Sequence, residues 1–337
     1  MAGSPQYLPF PEMTIPTSLD AVETGSDLER KRSESAVYDL PISGELEFRH
    51  SGWRRHRAAI YRAMIENRVP PARLERFAFC GHAAWVYRTS GDNPTYKLKA
   101  SYCHDRYCLP CQVSRAQQLA ATLFSQLPAG RLAFITLTIK HSDRPLADQL
   151  DFLTSSFRKL RTSKLWKASC DGGVAFVEVK MSKDRMRWHP HLHIIASASW
   201  IPQSDLAAAW HRITKTSFMV DIRPVTDRGK VKRYVTAYAS KPMSYAPTNS
   251  PHKLQESIAA LRGRRLCFTF GSWRTFKLVA RPEPELWVPI CSLPQLILRA
   301  KGGESFAVNV LAKLKKDQQW QLNQTKTKRG PPKSFGE

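Results

Sequence analysis

Between residues 131 and 280, short apolar and β-branched segments alternate with longer segments whose apolar residues recur every three or four positions. The short segments predict β-strands and the longer ones amphipathic helices. Two adjacent strands are joined by the short polar turn 182–187, and such a connection requires an antiparallel pair. The pattern therefore predicts an α+β fold, with a mostly antiparallel central sheet, flanking helices and a small cysteine-bearing segment before them.

Local signals place the ends of these elements. Pro145 marks the beginning of one helix and Pro242 the end of another. The predicted strands are 131–140, 173–181, 188–196, 219–225 and 264–270, and the predicted helices include 53–68, 112–127, 142–161, 202–218 and 229–241.

The chain divides by composition into four regions. Residues 1–45 are rich in Ser, Pro and Glu without an apolar period, which predicts disorder. A basic helix and four cysteines occupy 46–112, and the main domain is expected at 113–290. Residues 291–337 are expected to form a basic C-terminal tail.

The charge of the chain indicates its partner. Lysine and arginine number 52 against 28 acidic residues, for a formal net charge of +24. Such an excess indicates a polyanion, and nucleic acid is the first candidate, although a merely basic protein has the same composition. No long uncharged apolar run or signal-peptide pattern is present, so we expect no membrane contact and a cytoplasmic location.

Three histidines occupy alternate positions of one predicted strand, at His189, His191 and His193. Residues two apart in a strand share a face, so His191 and His193 can hold one metal ion. If the preceding turn centres near Asp184, Glu178 lies opposite His191 as a third ligand. Two imidazoles and a carboxylate suit Mg²⁺ or Mn²⁺ bound with a phosphate oxygen, whereas ordinary hydrogen-bonded core histidines are the alternative. His189, next to the turn, is the weakest ligand.

A predicted helix carries Tyr234 and Tyr238 on one face, followed by Lys241. The pKa of a phenol is about 10, so attack on a phosphate at neutral pH requires a nearby cation. A metal ion and a lysine ammonium could supply that stabilisation. The alternative is an aromatic pair that only packs in the core.

Four cysteines fall close together, which favours metal ligation in a chain without an export signal. A structural zinc site of four thiolates is expected, with no open position for chemistry. Free buried thiols are the alternative, and His82 or His104 could replace a cysteine. The expected ligands are Cys80, Cys103, Cys108 and Cys111.

“HPHLH” (189–193) followed by “YVTAYASK” (234–241) resembles the HUH (His-hydrophobic-His) endonucleases, specifically the rolling-circle replication initiator (Rep) proteins of plasmids and phages. “FITLTIK” (134–140) and “RRLCFTFGSW” (264–273) are similar to further stretches of that family. “CHDRYCLPC” (103–111) resembles its cysteine segment, with the proline one place later. The resemblance spans roughly residues 75–275 and makes 113–290 the expected nickase domain.

The resemblance implies a role for each motif. His191 and His193 would hold Mg²⁺ or Mn²⁺, and Tyr238, three residues before Lys241, would be the nucleophile. It would form a 5′-phosphotyrosine at a single-stranded or hairpin origin and release a 3′-hydroxyl that primes a host DNA polymerase. A host helicase would be a further partner, because the sequence has no Walker-type loop.

One position departs from the plasmid initiators. Many of them carry a glutamate four residues before the tyrosine, and this chain has Tyr234 there. This is similar to phage initiators with two alternating tyrosine nucleophiles, so Tyr234 is either catalytic or a packing residue.

Two other functions fit part of the pattern. An HUH-type transposase uses the same strand-transfer chemistry, and a non-catalytic zinc-stabilised DNA-binding protein would need no tyrosine motif. DNA contacts are expected from basic residues near the two motifs, although exposed charges are usually only solvated. These residues are Arg185, Arg187 and Arg233.

Overall fold

A computed structural model describes residues 44–182, 187–239, 249–279 and 286–326, with residues 236–239 and 317–326 described by their backbone alone. Residues 1–43, which hold nearly all of the segment predicted to be disordered, lie outside these ranges. No helix in the described ranges is long and apolar enough to cross a membrane.

The helices and strands follow one another along the chain. The helices are α1 (Gly44–His50), α2 (Arg54–Glu66), α3 (Pro71–Ala78), α4 (Leu109–Ser125), α5 (Leu146–Thr162), α6 (Lys164–Ser169), α7 (Gln203–Thr214), α8 (Gly229–Ala239), α9 (Pro251–Ala260), α10 (Leu293–Lys301) and α11 (Ser305–Lys326). The strands are β1 (His82–Thr89), β2 (Tyr96–Ser101), β3 (Leu132–Thr138), β4 (Cys170–Met181), β5 (Trp188–Ala198), β6 (Val220–Pro224), β7 (Cys267–Gly271) and β8 (Trp287–Ser292).

The central sheet has five strands in the order β6-β3-β5-β4-β7. Every neighbouring pair is antiparallel, and all five predicted strands are present. The predicted α+β fold with an antiparallel sheet and flanking helices is therefore confirmed.

Alternation along the strands gives the central sheet two apolar faces. One face carries residues such as Ile135 and Ile194 and packs against α5, α7 and α9. The opposite face carries Val174 and Ile195 and packs against α4 and α8. The apolar positions of α5 predicted to point inward, from Leu146 to Leu160, are all buried. Because the histidines share the second face, α4 and α8 determine what surrounds them.

A second, three-stranded sheet has the order β2-β1-β8 and joins distant parts of the chain. Its core contains Val86 of β1, Leu296 of α10 and Val310 of α11. Residues 291–326 were predicted to be part of a basic tail, and they instead form the end of β8 and two helices. Ser292 and Gln295 form a reciprocal capping box that begins α10. The pairing of β8 with β1 joins segments far apart in the sequence, so no local sequence pattern predicts it.

Gly271, at the end of β7, tests how closely β7 approaches β4 in the central sheet. It has a φ of +59°, and a Cβ there would lie 2.1 Å from the carbonyl oxygen of Asp171. Gly263 has a φ of +69° but no atom within 4 Å of such a Cβ. Gly271→Ala should therefore lower the free energy of unfolding by roughly 3 kcal/mol, and Gly263→Ala by only about 1 kcal/mol. Urea denaturation of both variants measures the difference, and equal losses would contradict the close approach.

Candidate metal centres and the tyrosine helix

The register of β4 and β5 brings the first candidate site together. Glu178 pairs directly with His191 across the two strands, as the sequence predicted. The ligand atoms of Glu178, His191 and His193 all lie within 4.8 Å of one another. Their residues are only 5%, 7% and 5% exposed. A buried carboxylate and two buried imidazoles thus converge on one face of the central sheet.

Hydrogen bonds orient two members of this trio. Nε2 of His193 lies 2.9 Å from Oε2 of Glu178, and Nζ of Lys180 lies 3.0 Å from the same oxygen. On the other side of the ring, Nδ1 of His193 lies 3.3 Å from Oγ1 of Thr136 and 3.4 Å from the hydroxyl of Tyr234. Burial alone would raise the pKa of Glu178, but His193 and Lys180 hold it below its ordinary value. Glu178 is therefore a carboxylate at neutral pH.

His191 has a different environment. Its Nδ1 is buried and makes no hydrogen bond with the described residues. An unsatisfied buried nitrogen costs about 1–3 kcal/mol unless a ligand engages the group. Burial, then the neighbouring His189 and Lys180, lower the pKa of His191 to about 2, so the imidazole is neutral. Neutral imidazoles beside a carboxylate are the donor set that a divalent cation requires, so the trio fits such an ion.

His189 lies outside the trio. Its ring is half-buried and packs against the ring of His141, with the centroids 3.8 Å apart and the planes tilted by 30°. Burial and the neighbouring His141 lower the pKa of His189 to about 4. This position agrees with its prediction as the weakest ligand of the three histidines.

Helix α8 places Tyr234 beside His193. The Tyr234 ring stacks on Phe134 of β3, with centroids 4.1 Å apart and planes 20° apart, while its hydroxyl approaches His193. Tyr234 is therefore a packing residue and a neighbour of the site at once. Tyr238 lies one turn further along α8, and its side chain is outside the described part of the structure, as is the whole of Lys241.

Two of the three basic residues predicted to contact DNA lie near carboxylates in the described structure. Arg187 pairs with Asp143 at 2.7 Å, and exposed Arg233 lies 3.9 Å from Asp227. Arg185 lies outside the described residues. Their role on DNA stays a prediction.

The four cysteines form the second candidate site. The Sγ atom of Cys80 lies 3.7 Å from that of Cys108 and 3.5 Å from that of Cys111, and Cys103 lies 3.7 Å from Cys111. Four thiolates bound tetrahedrally to zinc at about 2.3 Å are roughly 3.8 Å apart, so the spacing fits zinc. Hydrogen bonds with the other three thiols, Cys103 first, lower the pKa of Cys80. Neither alternative histidine is needed, since all four sulfurs converge.

Neighbouring polar groups support this cluster. The Arg49 guanidinium donates a hydrogen bond to Sγ of Cys111 at 3.4 Å and lies over the Tyr102 ring. Backbone N–H groups of Cys103 and Asp105 donate to the sulfurs of Cys80 and Cys103. Four thiolates on a zinc ion carry a net charge of −2, which a buried guanidinium and N–H donors partly offset.

A family model described as “Replication protein” matches residues 96–275, more than half of the chain. The chain belongs to the replication protein family. The Rep resemblance predicted from the two motifs is therefore confirmed at the level of the family. The matched range contains the candidate metal-binding trio, α8 and three of the four cysteines, whereas Cys80 precedes it.

Two relatives share the Rep name. The chain is 27% identical to “Protein rep” of Streptococcus pneumoniae serotype 2 (strain D39 / NCTC 7466) over 178 residues, which cover 47% of this chain and 55% of that protein. It is 28% identical to “Protein rep” of Lactiplantibacillus plantarum over 145 residues, 39% of this chain and 46% of that protein. The chain thus spans about half the length of the curated relatives it matches. No solved structure matches it.

Sequence reasoning did not identify several residues that contact the two candidate sites. Thr136 contacts His193 and Lys180 contacts Glu178, and their positions in β3 and β4 could have suggested these contacts. His141, in the loop after β3, contacts His189. Arg49 lies far from the cysteines in sequence, so only the fold reveals its contact with Cys111. Arg106 donates hydrogen bonds to the carbonyl oxygens of Leu261 and Arg264, which ties the cysteine segment to the end of α9 and the approach to β7.

Proposed function

We propose that this protein is a replication initiator that nicks single-stranded origin DNA and keeps the cut strand as a covalent intermediate. The observation that supports it best is the buried trio of Glu178, His191 and His193 beneath α8, the helix that carries both motif tyrosines. Family membership supports a role in replication, and the charge of +24 supports a nucleic-acid substrate.

The proposed reaction is a transesterification. The phenol oxygen of Tyr238 attacks the scissile phosphorus and loses its proton, the new bond is a 5′-phosphotyrosine, and the 3′-oxygen leaves and is protonated. The free 3′-hydroxyl then primes synthesis by a host polymerase behind a host helicase. Because the phosphodiester energy is retained, a 3′-hydroxyl can later attack the phosphotyrosine and reseal the strand without ATP.

Each member of the site has a part in this proposal. Glu178, His191 and His193 would hold Mg²⁺ or Mn²⁺, which when bound polarises the phosphate and stabilises the charge that develops on it. The hydroxyl of Tyr234 and Oγ1 of Thr136 hold the His193 ring in place. Lys241 would stabilise the phenolate, and the cysteine site would hold a structural zinc ion.

The test uses end-labelled single-stranded DNA from the replicon of the protein, with Mg²⁺ or Mn²⁺, and a denaturing protein gel. We expect label on the protein, lost in Tyr238→Phe and reduced at least 100-fold in His191→Ala. Tyr87→Phe, in the second sheet, is the matched control and should keep wild-type labelling.

Two further results of this experiment would decide the role of Tyr234 and whether the protein nicks DNA at all. Tyr234→Phe that cleaves but does not transfer the strand would assign Tyr234 as a second nucleophile, whereas unchanged transfer leaves it a positioning residue. Tight binding without any labelled protein under either metal would overturn the nicking function and leave a non-catalytic DNA-binding protein.

A further inference from the structure

A recessed groove of about 500 Å³ lies between the cysteine segment, α4 and the beginning of β7. Residues from all three elements line it, so the groove is formed where the cysteine segment packs against the central sheet. Its lining includes Tyr102, Arg115, Phe176, Arg265, Leu266 and Val279.

The groove is basic, and some of its arginines form no ion pair with the described residues. No carboxylate is among the described residues that line it, but five arginines are. Three of these have partners: Arg49 binds Cys111, Arg106 binds two carbonyl groups, and Arg264 pairs with Asp151. The other two, Arg115 and Arg265, are exposed and form no ion pair with any described residue. Two guanidinium groups that form no ion pair, in a groove with no carboxylate among its described lining residues, suit phosphate oxygens.

The walls of the groove are apolar and aromatic where the arginines are absent. Leu266, Leu278 and Val279 contribute apolar surface that is partly or fully exposed, whereas Leu119 and Phe176 behind it are only 6% and 1% exposed. The Tyr102 ring also lines the groove, with the Arg49 guanidinium 4.2 Å from its centroid. A duplex presents phosphates on a convex surface and keeps its bases stacked inside. Only an unpaired strand can give both a phosphate to the arginines and a base to the apolar wall.

The groove adjoins the candidate metal site. Phe176 pairs with His193 across β4 and β5, and it precedes Glu178 by two residues on the same face. Two strand residues span about 7 Å, so the groove and the trio lie at neighbouring positions of the same strand face. Leu266 is also held next to β4, because the N–H of Val177 donates a hydrogen bond to its carbonyl oxygen.

We propose that this groove binds the single-stranded DNA that flanks the scissile phosphate, with Arg115 and Arg265 contacting phosphates and the apolar wall accepting an unpaired base. The inference rests on the proposed nicking function for its substrate, and it adds a binding subsite outside the histidine and tyrosine motifs.

The test measures DNA binding without chemistry. Full-length protein carrying Tyr238→Phe is titrated against labelled oligo(dT) and against a duplex of the same length over a range of salt concentrations. Arg115→Ala and Arg265→Ala should each weaken oligo(dT) binding roughly fivefold to tenfold and lower the salt slope by about 0.7. Arg262→Ala, exposed in the adjoining loop but not in the groove, is the matched control and should bind like the parent.

The outcomes separate this proposal from the nicking function. Unchanged oligo(dT) affinity in both arginine variants, or an equal loss of affinity for the duplex, would overturn the proposal that the groove binds single-stranded DNA. Weaker single-strand binding with intact zinc content and thermal unfolding would support it. This result would stand even if wild-type protein formed no phosphotyrosine, because binding and covalent labelling are scored separately.

Discussion

The Cys108→Ser variant is expected to lose the zinc ion proposed for the four cysteines and to lower the free energy of unfolding by roughly 5 kcal/mol. Cys108 is 1% exposed and precedes α4, the helix that covers the histidine face of the central sheet. Binding of structural zinc typically contributes on the order of 10 kcal/mol to folding, so one lost ligand can remove much of the stability of a domain. Zinc content by atomic emission and thermal unfolding by circular dichroism measure the effect.

A matched cysteine tests whether zinc causes this loss. Cys291 is also buried, at 7% exposure, but it lies in the second sheet away from the other sulfurs. Cys291→Ser should keep one zinc ion per chain and lose about 1–2 kcal/mol. If Cys108→Ser also retained zinc and unfolded like Cys291→Ser, the four sulfurs would be ordinary core thiols.

The Glu178→Gln variant is expected to lower Mn²⁺ affinity at least tenfold and the rate of covalent labelling roughly 100-fold to 1,000-fold. The amide keeps the size of the side chain but removes the negative charge that faces His193 and Lys180. A neutral oxygen is a weaker ligand for a hard cation. Isothermal titration with MnCl₂ and a time course of labelling measure the two quantities separately.

Glu256 offers a control of the same chemistry. Its carboxylate accepts a hydrogen bond from the N–H of Leu146 at 2.8 Å and lies 3.0 Å from Nζ of Lys253. Glu256→Gln therefore removes an equally engaged charge without touching the trio, and metal affinity should not change. Wild-type Mn²⁺ affinity in Glu178→Gln would place the ion elsewhere.

The part of the site that lies on adjacent strands was predictable from the sequence. A short turn between β4 and β5 fixes the register, and alternation then forces Glu178 opposite His191. Helical spacing likewise put Tyr234 and Tyr238 in one helix. It could not show that α8 lies across β3, where Tyr234 stacks on Phe134, because helix placement depends on packing between elements distant in sequence.

The second sheet could not be predicted from the sequence either, because it too depends on contacts between distant segments. β8 contains Pro289 and the half-exposed Trp287 and Val288, which give no clear alternation. Its strand character comes from pairing with β1 rather than from its own sequence. The final helices were missed because their basic surface resembles that of a tail, although the apolar residues Leu296 and Val310 are buried.

The pairing of β1 with β8 has a consequence for the newly made chain. Thr89 and Trp287 are partners in the sheet, so a ribosome adding about 5–20 residues per second needs roughly 10–40 s between them. During that interval the β1 edge of the emerging hairpin has no partner strand. Arg88, Lys97 and Lys99 place positive charges on the hairpin, and such charges discourage unpaired edges from joining other nascent chains. Among the described strands, the last to be synthesised thus completes the pairing of the first.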